Sequence, residues 1–194
     1  MITVLLDSSN RDLAVGIGRD GKIIDSMSYE AWQRQSESMI PELDKILKKN
    51  QIKRTDISDI VVAIGPGSYT GVRIALTIAK VMALALNVPI YPVSSLRAMK
   101  IGSKPTIALI NARSSRSYIG VFEKEKVILE DQIMTNEEVL KYIAKHSEYE
   151  ISGDVQYLGL EGHKPNALKE MMNLKPIIKP CENSLGLKPI YLKD

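Results

Sequence analysis

Shifted by 104 residues without a gap, the chain falls onto itself. Asp7 lands on Asn111, Val15 on Ile119, Gly16 on Gly120 and Ile17 on Val121, and Lys22, Ile23 and Ile24 land on Lys126, Val127 and Ile128. A self-match at one long offset, with a shared glycine and shared turn lengths, marks a duplicated domain. In the first copy Ile2–Leu6, Leu13–Ile17 and Lys22–Tyr29 are apolar or β-branched runs. They are joined by the turn cluster Asp7-Ser8-Ser9-Asn10 and by the hairpin signal Asp20-Gly21, which predicts an antiparallel meander. Thr106–Ile110, Ser117–Phe122 and Lys126–Leu129 predict the same meander again.

Each meander runs into a helical pattern. In the first copy Trp32, Ser36, Met39/Ile40, Leu43 and Ile46/Leu47 recur at helical spacing up to Lys48-Lys49-Asn50, whose cations complement the helix dipole and whose Asn can cap. Pro41 either falls in the first turn under a Ser38 cap or lies inside a longer helix. In the second copy the helix spans Asn136–Lys145, with Thr135 as cap and Glu138 as capping-box partner. The first copy goes on through a buried strand, Ile60–Ile64, a helix from Val72 to Leu86, a short strand over Val88–Val93 and a helical turn over Ser94–Met99. The second fades into a strand at Tyr149–Ser152, a short helix at 164–172 and an irregular tail holding Pro176, Pro180 and Pro189. Gly102-Ser103-Lys104-Pro105 is the natural boundary, giving domains 1–102 and 103–194. The fold class is α/β. The plan, meander, helix, strand, helix, resembles the ribonuclease-H-like domains of actin-type ATPases and sugar kinases, with the second domain reduced.

The loop between the central strand and its helix is Gly65-Pro66-Gly67-Ser68-Tyr69-Thr70-Gly71. It matches none of the common phosphate or nucleophile motifs. A Walker A loop needs Lys and then Ser or Thr after its second glycine, where Val72 and Arg73 stand. A Rossmann loop needs glycine at Thr70 and should open the first βα unit. A nucleophile elbow needs glycine at Pro66 and Thr70 around Ser68. Two readings of the glycines stand: a backbone cradle for an anion at a helix N-terminus, or tight turning and close helix–strand packing. The helix beyond carries a narrow polar stripe, Arg73, Thr77 and Lys80, and a flat stripe of Ala75, Ala79 and Ala83 on an otherwise apolar surface. Such a helix is buried on nearly all sides or shared with another chain.

Composition narrows the function. The net charge is +3 in 194 residues and is spread evenly, so no basic arm marks a dedicated nucleic-acid surface. Cys181, the single cysteine, allows no internal disulfide and suits the cytosol. The first residues lack a basic segment followed by an apolar stretch, so no signal peptide is expected. The helix over 72–86 is too short and too polar along its stripe to be expected to span a membrane. An actin-type phosphate clamp needs an acid and a glycine in the turn after the first strand of each domain. Asp7-Ser8-Ser9-Asn10 keeps the acid without the glycine, and Asn111-Ala112-Arg113-Ser114 has lost the acid. Asp7 is either a remnant of that clamp or a turn former. His146 and His163, seventeen apart, make no metal pair. No Ser, His and Asp spacing suggests a peptidase.

The stretch Ile64–Leu86, a strand followed by GPGS, an aromatic, TG, a hydrophobic residue, Arg and an Ala-rich helix, strongly resembles the signature of the TsaB (YeaZ) family. Leu6-Asp7-Ser8-Ser9, Gln35-Ser36-Glu37 before Met39-Ile40-Pro41, Pro92-Val93-Ser94-Ser95-Leu96 and Pro189-Ile190-Tyr191-Leu192 support it. Gln35 stands where the family often has His, and Asn111 where it commonly has Asp. The resemblance implies a cytoplasmic, non-catalytic paralogue of TsaD, the enzyme that transfers threonylcarbamoyl to the adenosine beside the anticodon of ANN-decoding tRNAs. It implies dimerisation with TsaD through helices of the first domain, joining by TsaE, and contact with tRNA only through the complex, while the apolar helix over 72–86 leads one to expect a homodimer when the chain is alone. It implies neither catalytic nor metal-binding residues and no cofactor of the chain's own, with ATP or ADP at the partner interface. The expected interface is Met39, Leu43, Arg73, Ala75, Ala79, Met82 and Ala83, and the positions for nucleotide contact are Asp7, Ser8, Gly65, Gly67 and Ser68. The alternative is a nucleotide-using enzyme of the actin or sugar-kinase class.

Overall fold

The structure, a computed structural model, describes residues 1–31 and 34–192. Its first sheet has the order β3-β2-β1-β4-β5, built from β1 (Ile2–Asp7), β2 (Asp12–Arg19), β3 (Lys22–Glu30), β4 (Ile57–Ala63) and β5 (Ile90–Val93). β1, β2 and β3 form the antiparallel meander, while β4 and β5 run parallel to β1. Asp20 and Gly21 turn the chain between β2 and β3 with φ of 51° and 80°, the two-residue geometry that matches strand twist. β1 lies mid-sheet and buries every residue. The two-residue period sends Val4 and Leu6 into the core on one face and Leu5 into the core on the other.

α1 (Gln35–Lys49) and α2 (Tyr69–Leu86) cover the first of these faces. Pro41 lies inside α1, whose first turn already uses the Ser38 N–H to donate to Arg34 O at 3.1 Å. The helical position expected at Trp32 lies outside the described residues. Asn50 closes α1, its Nδ2 donating to Ile46 O and to Asp25 Oδ2, both at 2.8 Å. α2 starts three residues before the expected Val72, because Ser68 caps it: Ser68 Oγ accepts from the Gly71 N–H at 3.2 Å. Asn87, in the left-handed conformation, ends it. Its 18 residues are long and apolar enough to cross a membrane by length and composition, so the argument from shortness fails. In this fold its inner face is packed on the sheet.

The second sheet, β8-β7-β6-β9, comprises β6 (Thr106–Arg113), β7 (Arg116–Glu123), β8 (Lys126–Thr135) and β9 (Glu150–Gly153). The offset of 104 holds at the start of all three meander strands and at both ends of β2 and β7. α3 (Asn136–Lys145) opens with the expected capping box, Glu138 N–H to Thr135 Oγ1 at 3.2 Å and Thr135 N–H to Glu138 Oε2 at 2.8 Å. Four-residue β9 is the one parallel partner of β6, where β1 is followed outward by β4 and β5. The second copy is the smaller.

α4 (Ala167–Leu174) then returns to the first sheet. Leu168, Met171, Met172 and Leu174 pack on Leu5, Ala14, Val61 and Ala63. Two ion pairs with little exposure hold this end in place: Lys100–Glu170 at 3.0 Å, and Lys175–Asp59 at 2.6 Å with Thr3 Oγ1 3.0 Å from the same ammonium. β5 and β6 fall on either side of residue 102, yet much of the chain beyond 166 packs against the first sheet. Local periodicity gives a helix there and is silent on which sheet it will cover.

Candidate functional site

The glycine loop leaves β4 beside the turn that ends β1. Gly65 N–H donates to Ser95 Oγ at 3.0 Å, the Gly65–Pro66 bond is cis, and Ser68 N–H donates to Ser9 O at 2.7 Å. Ser8 Oγ donates to Gly71 O at 2.7 Å. A Cβ at Gly67 would stand 2.1 Å from Ser9 O, and one at Gly71 would stand 1.9 Å from Ser8 O. These two glycines are therefore needed where the β1 turn lies directly on the loop, which is the packing reading of the motif. The structure brings Asp7, Ser8, Gly65, Gly67 and Ser68 to one end of the first sheet, but their polar groups largely serve one another. Ser68 Oγ caps α2, the Ser8 hydroxyl is spent on Gly71, and Asp7 Oδ1 accepts from Ser9 N–H at 2.8 Å. The room that the missing side chains leave at Gly67 and Gly71 is taken by the chain's own backbone.

Asp7 is 8% exposed, and burial raises its carboxyl above the ordinary range against the opposing pull of its Ser9 hydrogen bonds. Gln35 sits buried at the start of α1, its amide pointing to Asn10 O and Arg11 O at 3.3 and 3.4 Å. It ties the helix to the same turn with a neutral group. Among the described residues no group of three or more His, Cys, Asp or Glu is placed to hold a metal. His146 stacks between Tyr142 and Tyr149, with centroids 4.5 and 4.7 Å away.

The expected interface residues divide. Ala75, Ala79 and Ala83 of α2 are at most 4% exposed and belong to the core beneath α1 and α2, as do Met39 and Leu43 of α1. Their contacts are therefore within the chain and not the partner contacts expected of them: the small residues let α2 lie close on its own sheet. Arg73 is exposed, and Met82 is half-buried in a groove between α1 and α2. The outward apolar surface is made of residues the pattern did not single out, Ile40, Val81 and Leu84, at 56%, 62% and 68% exposure. Their signal was present: Arg73, Thr77, Val81 and Leu84 form one stripe at helical spacing, and its polar half marks it as the outer one.

Residues 29–173 match the family model described as TsaD: tRNA N6-adenosine threonylcarbamoyltransferase. The tRNA threonylcarbamoyladenosine biosynthesis protein TsaB of Bacillus subtilis is 33% identical over 144 residues, 72% of this chain and 62% of that protein, so the match spans about three fifths of that relative's length. The protein of the same name from Haemophilus influenzae is 24% identical over 193 residues, covering 84% of this chain and 82% of its own. YeaZ from Pseudomonas aeruginosa superposes with a TM-score of 0.81 at 20% identity, over 98% of this chain and 99% of that one. An uncharacterized protein described as similar to peptidase YeaZ from Pseudomonas aeruginosa superposes with a TM-score of 0.86 at 20% identity, over 99% of both chains. Two linked α/β sheets with a glycine loop between strand and helix define an actin-like protein of the threonylcarbamoyltransferase group. The chain belongs to the TsaB (YeaZ) family within it.

Proposed function

We propose that this chain serves tRNA threonylcarbamoyladenosine biosynthesis as a non-catalytic subunit that activates a TsaD-type transferase by binding it. The observation that carries this reading is the use of the loop for packing: Ser8 O and Ser9 O lie where side chains at Gly71 and Gly67 would stand. An actin-like fold whose loop is used for packing is suited to presenting a surface. That surface is the outward side of α1 and α2, where Ile40, Val81 and Leu84 leave apolar area in water. Burying it in a complex is favourable by roughly 25 cal/mol per Å². In this reading TsaD carries the chemistry, TsaE joins the pair, ATP or ADP binds at the partner interface, and tRNA is met through the complex. The same apolar face closes a homodimer when the chain is alone.

The test is light scattering on a sizing column, with this chain alone and mixed with TsaD from the same organism. A mixed peak at heterodimer mass that is lost in Leu84→Asp supports the reading. Separate peaks, with ATP and TsaE added, would sink it.

A further inference from the structure

Residues 178–192 contain neither helix nor strand, yet they are fastened at intervals along the first unit. Cys181 N–H donates to Ile90 O of edge strand β5 at 2.8 Å. Leu185 O accepts from Lys80 Nζ at 2.9 Å, and Leu187 packs on the core under α1 and α2. Ile190 N–H donates to Ile64 O at 2.7 Å, and Leu192 reaches the core of the second sheet. The segment is a strap running antiparallel to α2, from Lys80 back to Tyr69.

Its end builds a small rigid cluster. Tyr191 stacks on Tyr69 with centroids 5.2 Å apart, the Arg73 guanidinium lies 3.9 Å from the Tyr69 centroid, and Arg73 Nε donates to the Tyr191 hydroxyl at 2.6 Å. Both rings remain about half exposed. Among the described residues the charge of Arg73 meets only these tyrosines, with no carboxylate beside it.

The cluster shares a face with the apolar surface. At about 100° per residue, Tyr69, Arg73 and Lys80 fall on the strap edge of α2, Thr77 and Leu84 in the middle, and Val81 and Ala85 on the edge toward α1. The groove shared by Val81, Ala85 and the α1 residue Ile40 bears out that orientation. From Arg73 to Leu84 the helix advances about 16 Å. One continuous face thus has an apolar end and a cationic, aromatic end, with the strap as its wall.

We propose that the strap completes the docking face, and that Tyr69, Arg73 and Tyr191 form a clamp for a carboxylate side chain of the partner protein; this rests on the reading that the outer side of α1 and α2 binds that partner. Arginine and tyrosine carry a disproportionate share of binding energy at interfaces. An arginine fork meets a carboxylate through charge-assisted hydrogen bonds. Here the fork is already oriented by stacking and by the Tyr191 hydroxyl, so little side-chain freedom is left to lose on binding. The segment that fits carries apolar residues against Leu84 and an Asp or Glu about 16 Å along it.

The test is titration calorimetry of the full chain against TsaD of the same organism at low and moderate salt. Arg73→Ala is expected to weaken binding about tenfold at low salt and to flatten its salt dependence. Tyr191→Phe, which keeps the stack and removes the hydroxyl that orients Arg73, is expected to lie between it and the wild type. Leu84→Asp is expected to abolish binding at either salt. If Leu84→Asp abolishes binding while Arg73→Ala and Tyr191→Phe keep both affinity and salt dependence, the clamp is refuted and the docking face stands. Wild-type binding by Leu84→Asp overturns the docking face itself. If Arg73→Ala spares TsaD binding and weakens binding of a nucleotide or tRNA instead, the clamp takes a phosphate and the carboxylate assignment is overturned.

Discussion

Asp7 ends β1 and Asn111, 104 residues on, lies two residues before the end of β6, yet each side-chain oxygen accepts the backbone N–H two residues on, at 2.8 Å in both copies. The same hydrogen bond forms with and without the carboxylate, although the chain beyond it differs: Arg113, Ser114 and Ser115 take positive φ and none of residues 8–11 does. That hydrogen bond therefore needs an Asx oxygen and no charge, and the acid in the first copy is a feature to be explained apart from it.

Asp7→Asn should accordingly fold as the wild type does. Burial raises the Asp7 carboxyl, so the folded chain binds this proton more tightly than the unfolded chain, and stability from this group falls as pH rises through the folded pKa. The Asn variant should lack that component, and be no less stable than wild type in urea denaturation at pH 7.5. Calorimetry should register the same absence of Mg-ATP heat for both proteins; heat in the wild type that Asp7→Asn abolishes would instead favour a nucleotide-using enzyme.

Gly71→Ala should be costly for a reason unrelated to ligand binding. Its methyl group would stand 1.9 Å from Ser8 O, a backbone atom that cannot swing aside. A loss of about 3 kcal/mol in equilibrium denaturation is expected. An unchanged midpoint would mean that the loop stands off the β1 turn.

Substitutions along α2 should separate core from surface. Ala79 has no exposure, so Ala79→Arg should cost more than about 4 kcal/mol and leave little folded protein by circular dichroism. Leu84 is 68% exposed, and Leu84→Asp should hold the melting temperature within about 2 °C while changing association. The opposite pattern would turn the helix around.

Asp131 joins the two units, its Oδ2 accepting from Ser94 Oγ at 2.5 Å. Burial pushes its pKa up to about 6, with neighbouring Glu130 adding to the rise and Ser94 and Arg97 opposing it. A raised carboxylate pKa means that the native state favours the proton. This group's contribution is therefore fullest below the unfolded value near 3.8 and is lost as pH climbs through about 6. The difference in stability between Asp131→Asn and wild type should thus grow in favour of the variant between pH 4.5 and 7.5, by up to about 2 kcal/mol. Parallel pH profiles would disprove it.

How much of this was legible in the sequence follows from the range of each interaction. The meanders, the Asp20–Gly21 turn and the Thr135–Glu138 cap are decided within a few residues, and the pattern shows them. The start of α2 was misplaced because glycine counts against a helix, whereas Gly71 sits in the first turn to admit Ser8 O. The inward face of α2 was misjudged because an Ala stripe reads alike against a foreign helix or its own sheet. The Pro-rich tail was read as irregular. It has no regular element, yet it is bonded at intervals to partners about a hundred positions earlier, which no local window reaches.

The return of α4 to the first sheet also sets an order of events at the ribosome. β1 to β5 emerge early, but Leu5, Val61 and Ala63 lack the helix that completes the cover of their second face until Met171, Met172 and Leu174 arrive. Roughly 80 residues separate the end of β5 from the end of α4, about 4–16 s of synthesis at common elongation rates. For that interval the nascent chain carries a partly open apolar sheet face, which a chaperone can hold before α4 closes it.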